Sequence, residues 1–220
     1  KTSIADKGLH NCYFETDKYK YYFNLNISDT INIGVIYNDY KDSKYVINAL
    51  NAFKEINNNI EVKTYTYDQF IHENSLFDSV IKFDLSDISN HLLNKISSMT
   101  KNLFIIPTNS FDYNIISNYF NLNMNYNNYI KTEIKDGYIG INNDLTKDDD
   151  LKLLFSTSKQ RFQIYSYFQL DANDYAKVFF SNNDPLLYQH FINDFKISTI
   201  VFPLDLISSN IPLTVSFIPM

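Results

Sequence analysis

The side chains able to do covalent or acid–base chemistry are few and far apart. Cys12 is the single cysteine, and the chain has 4 histidines. Acyl transfer by serine needs a hydroxyl beside an imidazole that takes its proton, and a carboxylate that orients the imidazole. Ser110 as nucleophile, His91 or His190 as base and Asp84 or Asp205 as orienter is the covalent option open to this sequence. Against it, the turn Pro107-Thr108-Asn109-Ser110 lacks the glycines that let a nucleophile elbow bend sharply. Ser110 before Phe111 is also a natural helix N-cap, and that reading is favoured.

Metal and phosphate chemistry fare no better. Asp68 and His72 have a spacing that puts them on one helical face, with Glu73 beside them, but two ligands do not make a site. The acidic stretch from Asn142 to Asp150 lacks both the sixth-position Gly and the closing Glu of a calcium loop, so a solvated cap is expected. Gly34 lies inside a strand pattern, and Gly137-Tyr138-Ile139-Gly140 opens no βα turn that could cradle a phosphate. Asp205 follows Pro203-Leu204 before Ser208-Ser209-Asn210, where a carboxylate satisfies the backbone N–H groups of a turn more often than it orients a ligand. No cofactor and no metal is expected.

Composition narrows the function classes. The formal net charge is −6 and no Lys-rich block runs beside an aromatic series, which argues against nucleic acid as a partner. No apolar run approaches the ~20 residues a spanning helix requires, and no signal peptide opens the chain. A single Cys rules out intrachain disulfides. At 220 residues, with 45% hydrophobic and 16% aromatic residues, the chain can bury a core without a metal or disulfide staple.

The patterning predicts which elements position these residues. Leu9–Phe14 and Tyr19–Ile27 flank a polar turn and read as a hairpin, the second with alternating apolar positions. Ile31–Tyr37 reads as a buried parallel strand. Tyr45, Val46, Ala49, Leu50 and Phe53 mark a helix with Ser43 as its cap. Further strands are expected at Glu61–Tyr67, Ser79–Phe83 and Leu103–Ile106. A helix capped by Ser86 or Asp87 is expected between Asp84 and Thr100, and another over Phe111–Phe120. Strands alternating with helices of this length imply right-handed crossovers and a doubly wound, mostly parallel, flavodoxin-like sheet. Tyr126–Ile141 reads as an excursion and Leu151–Phe155 as a short apolar element. Phe162–Leu170, Ala176–Ser181, Leu186–Ile192 and Ile197–Phe202 read as strands, the last two joined by Asn193-Asp194 into an antiparallel hairpin that extends the sheet edge. A helix start is expected near Ser209, Asn210 and Pro212.

The C-terminal residues are the most specific. Asp184-Pro185-Leu186-Leu187-Tyr188, Ile197–Phe202, Pro203-Leu204-Asp205, Ser209-Asn210-Ile211-Pro212-Leu213 and Phe217-Ile218-Pro219 resemble a pattern of the BatA-type, aerotolerance-related membrane proteins of Bacteroidetes. In that family they close a class I glutamine amidotransferase-like domain before a last membrane helix. Tyr21-Tyr22-Phe23, Ser43-Lys44-Tyr45 through Leu50, and Asp84–Leu93 before Leu103–Pro107 agree in register. The sequence departs from the pattern at Asn193–Phe195, where glycines are usual, and at Ser208, where an aromatic is usual. The resemblance implies residues 1–28 as the end of a preceding β-sandwich and 29–220 as the amidotransferase-like domain, the whole an excised piece of something longer. It also implies an extracytoplasmic, periplasmic setting in an inner-membrane protein, anchored through flanking segments, with other Bat-type proteins or von Willebrand-type domains as partners.

An amidotransferase of this class needs a nucleophilic Cys on the strand-to-helix turn, and Cys12 sits far from it, in the hairpin. A non-catalytic interaction or scaffold domain is therefore expected; a ligand-binding sensor and a serine or metal hydrolase are the alternatives. Any small molecule would bind beyond the carboxyl ends of the parallel strands, where strand order reverses. The residues expected there are Asn38, Asp39, Asp84, Thr108, Asn109 and Ser110.

Overall fold

The computed structural model describes residues 8–15, 20–27, 30–56, 59–108, 113–122, 131–133, 141–142, 163–169, 176–180 and 182–210. Strands β1 (Gly8–Glu15) and β2 (Lys20–Ile27) pair antiparallel as a separate two-stranded sheet, with Cys12 opposite Phe23. The rest builds an α/β fold on one mixed, mostly parallel sheet.

Its elements follow in chain order: β3 (Ile31–Tyr37), α1 (Tyr40–Ile56), β4 (Ile60–Thr66), α2 (Tyr67–Ile71), β5 (Ser79–Phe83), α3 (Asn90–Met99), β6 (Asn102–Ile106) and α4 (Asn114–Tyr119). Then come β7 (Lys131–Glu133), β8 (Ile141–Asn142), β9 (Ser166–Phe168), β10 (Ala176–Phe180), β11 (Pro185–Ile192) and β12 (Phe195–Ile200). Eight strands pair in the order β4-β3-β5-β6-β12-β11-β10-β8. The first five are mutually parallel, and β11, β10 and β8 continue antiparallel. Strand order reverses at β3, which has β4 on one side and β5 on the other.

The apolar run of β3 suits a strand covered on both faces: Val35 and Ile36 are fully buried. Gly34 leaves room for a close neighbour. A Cβ there would lie 3.3 Å from the Phe77 ring, and Phe77 is held in an aromatic group with Tyr65 and Phe70. α3 buries Leu92, Leu93, Ile96 and Met99, one helical face.

The caps differ from those expected. Ser89, not Ser86 or Asp87, caps α3, accepting from the Leu92 amide at 3.2 Å. α1 begins three residues before Ser43, which is buried in its first turn and donates to the Tyr40 carbonyl. Asp39 does the capping, its Oδ1 accepting from the Lys41 amide at 2.9 Å. Tertiary packing decided both: Ser43 belongs to the face carrying Val46 and Ile47. α4 is described over Asn114–Tyr119, with Tyr113 at the N-cap position making no side-chain capping bond; the cap expected at Ser110 lies outside the described residues.

The second half also departs from expectation. The β11–β12 hairpin closes through Asn193-Asp194, with Asn193 at φ 53°, a left-handed position Asn tolerates. It does not form the sheet edge, because β12 pairs parallel with β6 and β10 and β8 lie outside β11. Of the run expected as a strand over Phe162–Leu170, the described residues 163–169 hold the short β9, paired with β7 away from the main sheet, and a single bridge from Ile164 to Ser209. The elements expected at Leu151–Phe155 and after Asn210 lie outside the described residues. No helix among those described is long and apolar enough to cross a membrane.

One buried charge sits in the central sheet. Lys82 of β5 is fully buried between Ile36 and Ile105 on the neighbouring strands, and its ammonium meets Asp87 at 2.8 Å and the Phe83 carbonyl. Burial holds its pKa below the usual lysine value, with Asp87 opposing.

Two stability predictions follow from this packing. Asp87→Ala, which strands a buried ammonium, is expected to lower stability by about 3 kcal/mol, while the double variant Lys82→Met/Asp87→Ala, which removes both charges, is expected to recover most of that loss; urea unfolding of both variants checks the contrast. Gly34→Ala is expected to cost about 1–2 kcal/mol by overpacking against Phe77, and measurably less in a Phe77→Leu background.

Candidate functional site

The edge of the sheet at the carboxyl ends of β3, β5, β6 and β12 gathers part of the expected set. Parallel pairing puts these four ends on one edge of the sheet, so Asn38 and Asp39, Asp84, Thr108 and Asp205 arrive there from separate elements. Asn109 and Ser110 lie outside the described residues.

Each carboxylate is engaged in shaping its own loop. Asp39 caps α1. Asp84 leaves β5 at φ 62°, its amide donating to the Ile106 carbonyl at 3.1 Å. Its two oxygens accept from the Ser86 amide at 3.0 Å and the Ser86 hydroxyl at 2.8 Å. A left-handed residue with a short hydrogen-bonding side chain is a way to turn a strand sharply without glycine. Asp205 accepts from the amides of Ile207 at 2.9 Å and Ser208 at 2.6 Å, as expected of a capping carboxylate. Thr108 is buried and Asn38 exposed.

Asp42, which sequence reasoning passed over, joins this group from the first turn of α1. Its carboxyl pKa is raised, first by partial burial and then by the negative charges of Asp39, Asp84 and Asp205, with Lys41 opposing. Asp42 thus lies within electrostatic reach of Asp39, Asp84 and Asp205. The usable sequence signal was the i, i+3 spacing of Asp39 and Asp42 at a helix start. For Lys82 it was a charge on the same face as Val80 in an otherwise apolar strand.

The histidines do not complete a hydrolytic set here. His91 is exposed in the first turn of α3. His190 is buried in β11 opposite Ile197, its ring 6.2 Å from that of Tyr113. The Tyr113 hydroxyl accepts from Thr199 at 3.1 Å. Burial pushes the His190 imidazole down to about 4. Among the described residues no histidine shares a hydrogen bond with Asp84 or Asp205.

Metal ligation has no set either: no group of three His, Cys, Asp or Glu able to hold an ion exists among the described residues. Asp68 and His72 are exposed on and just after α2. The Glu73 carboxylate instead accepts from the Tyr65 hydroxyl, the Ser75 amide and hydroxyl and the Asn74 amide. Those bonds, the Tyr65 one foremost, hold its pKa down to about 2.

Those residues of the C-terminal motif that are described serve packing. Asp184 accepts from Tyr167, Gln169 and Asn182. Asn210 and Gln163 exchange backbone and side-chain hydrogen bonds, and the Ser208 carbonyl accepts from the amides of Tyr165 and Ser166. Together they tie segment 163–169 onto residues 182–184 and 208–210.

No protein-family model matches the sequence, and none of the curated proteins does. Among solved structures, one similar chain is a fungal multi-domain GH3 β-N-acetylglucosaminidase with a GCN5-related glucosamine N-acetyltransferase region. It is 12% identical with a TM-score of 0.30, over 79% of this chain and 26% of that one. This chain thus spans about a quarter of that chain's length, and a likeness of this size supports no argument about fold or activity.

The buried imidazole has a pH consequence. The folded pKa lies near 4, below the ordinary 6.5, so between these values the unfolded chain binds a proton that the folded chain refuses. The His190 contribution is present above about pH 6.5 and is lost as pH falls toward 4, by up to about 3 kcal/mol. His190→Phe is expected to remove that part of the acid slope in urea-denaturation midpoints measured from pH 4 to 7.

Proposed function

We propose that this chain is a non-catalytic interaction or scaffold module with a flavodoxin-like, glutamine amidotransferase-like fold. We read it as the extracytoplasmic, periplasmic part of a membrane-anchored protein of the BatA type, working with other Bat-type proteins or von Willebrand-type domains. The order of its five parallel strands, β4-β3-β5-β6-β12, supports the fold, since it is the 2-1-3-4-5 order of that class. The C-terminal motif residues support the setting by resemblance.

One observation carries the non-catalytic reading. The carboxylates Asp39, Asp84 and Asp205 at the switch-point edge are all hydrogen-bonded to their own loops. Groups held this way brace a surface; a triad needs one of them on a histidine as well, and among the described residues none of the three meets one.

Purified protein is expected to hydrolyse glutamine and p-nitrophenyl esters at the uncatalysed rate, unchanged by Ser110→Ala, and to resist labelling by a fluorophosphonate. A turnover that Ser110→Ala abolishes, or covalent labelling at Ser110, would replace the module with a hydrolase.

A further inference from the structure

The main sheet has one long open side. β4 stands first in the pairing order, and among the described residues no strand pairs with it on its outer side. Its register with β3 runs unbroken from Ile60 to Thr66, with no bulge, Pro or Gly. Edge strands are usually blunted by shortness, Pro, a bulge or an outward charge, because their unpaired amides and carbonyls template another strand. Of these devices β4 has charge alone, in Glu61 and Lys63.

The hydrogen bonds to β3 decide which backbone groups are open. In a parallel ladder, alternate residues of a strand turn their amide and carbonyl to the same neighbour. The Asn59 carbonyl accepts from the Ile31 amide at 2.7 Å, with Ile31 opposite Ile60, so Asn59, Glu61, Lys63 and Tyr65 face β3. Ile60, Val62, Thr64 and Thr66 face outward. Thr66 is already engaged, its amide donating to the Gln69 side chain at 2.9 Å in the capping box of α2. The open groups belong to Ile60, Val62 and Thr64, three β-branched residues suited to a paired strand. Glu61, Lys63 and Thr64 are exposed. Glu61 and Lys63 share a sheet face with Tyr65, which packs on Phe70 of α2.

Charge complementarity selects a second copy of this chain as the occupant. We propose that two chains pair antiparallel through β4 about a twofold axis at Val62. Val62 then faces Val62 of the second copy and Ile60 faces its Thr64, each pair exchanging backbone bonds in both directions. Glu61 falls opposite Lys63 of the second copy, twice by symmetry, in the non-hydrogen-bonded pairs where side chains come closest. An axis at Lys63 would set lysine against lysine and call on the Thr66 amide that Gln69 holds. An axis at Glu61 would set glutamate against glutamate. The Val62 register alone pairs all three open residues with one another. The neighbouring charges, Lys54 and Glu55 at the end of α1 and Asp68 at the start of α2, stand beyond the two ends of the paired stretch. Such a contact is closed and self-complementary, and its small size makes the dimer concentration-dependent. It leaves the strand-end edge free, so it holds whether or not that edge does chemistry.

The test is sedimentation velocity of the whole chain from micromolar to near-millimolar concentration, with amide hydrogen exchange followed by NMR over the same range. The mass is expected to rise toward twice that of the chain. The amides of Ile60, Val62 and Thr64 are expected to gain protection with concentration, while those of Glu61 and Lys63 are protected throughout by β3. Glu61→Lys and Lys63→Glu are each expected to weaken self-association by about tenfold, and an equimolar mixture of the two variants to regain it as a heterodimer. The double variant Glu61→Lys/Lys63→Glu, whose net charge is unchanged, is expected to return to within about threefold of the original. Thr64→Pro, which removes an outward amide and spares the ladder to β3, is expected to abolish the dimer without changing the circular dichroism. A dimer indifferent to Glu61→Lys, or a loss that the double variant fails to restore, would overturn the proposal. So would a chain that stays monomeric: fast outward amides at every concentration would leave the edge to a strand of another protein, and slow ones would show it covered from within.

Discussion

The parallel pairing of β12 with β6 is the contact on which the rest of this fold depends. Lys196 to Thr199 lie in register with Asn102 to Leu103, Phe104 and Ile105, although most of the chain's second half intervenes between the two strands. Closing so long a loop is slow and entropically costly, but the cost grows only slowly with length. Once closed, it places the antiparallel β11, β10 and β8 on the same sheet and merges both halves into one hydrophobic core. It also brings the end of β12, and with it Asp205, Leu206 and Ile207, to the edge where β3 and β5 end. Without that pairing Asp205 would not reach the edge that carries Asp39 and Asp84.

A second constraint is the scarcity of glycine, with 4 in the whole chain. Left-handed corners fall instead to Asp84, Asn121, Asn183 and Asn193, the residues with positive φ among those described. Asn and Asp accept this conformation because a short polar side chain can hydrogen-bond locally. The consequence reaches the candidate site. A glycine at the end of β5 would turn the chain silently, whereas Asp84 brings a charge to the edge and fastens it to Ser86. Acidity at this edge is partly a by-product of how the loops are turned and capped.

The elements of the first half were legible because each carries its own signal. Ser79–Phe83 was read with its observed ends, and β3, α3 and β6 lay where apolar runs and helical spacing put them. Caps were less legible, since Ser43 and Ser89 are equally good capping residues and packing alone chose between burying one and using the other. The hairpin through Asn193-Asp194 was visible from its turn residues, but its position inside the sheet was not. Nothing local to Phe195–Ile200 specifies that its free edge meets β6.

Composition, periodicity and turn chemistry by themselves determined an α/β chain with a strand-led first half, a late hairpin and polar residues at the strand ends, because those signals act over a few residues. The tertiary structure alone decided which of those polar residues meet. Asp42 joins Asp39, Asp84 and Asp205, His190 is withdrawn into the core, and Lys82 is buried on Asp87. These are contacts between residues distant along the chain, set by strand order and register, and a linear pattern carries no record of which neighbour a strand will choose.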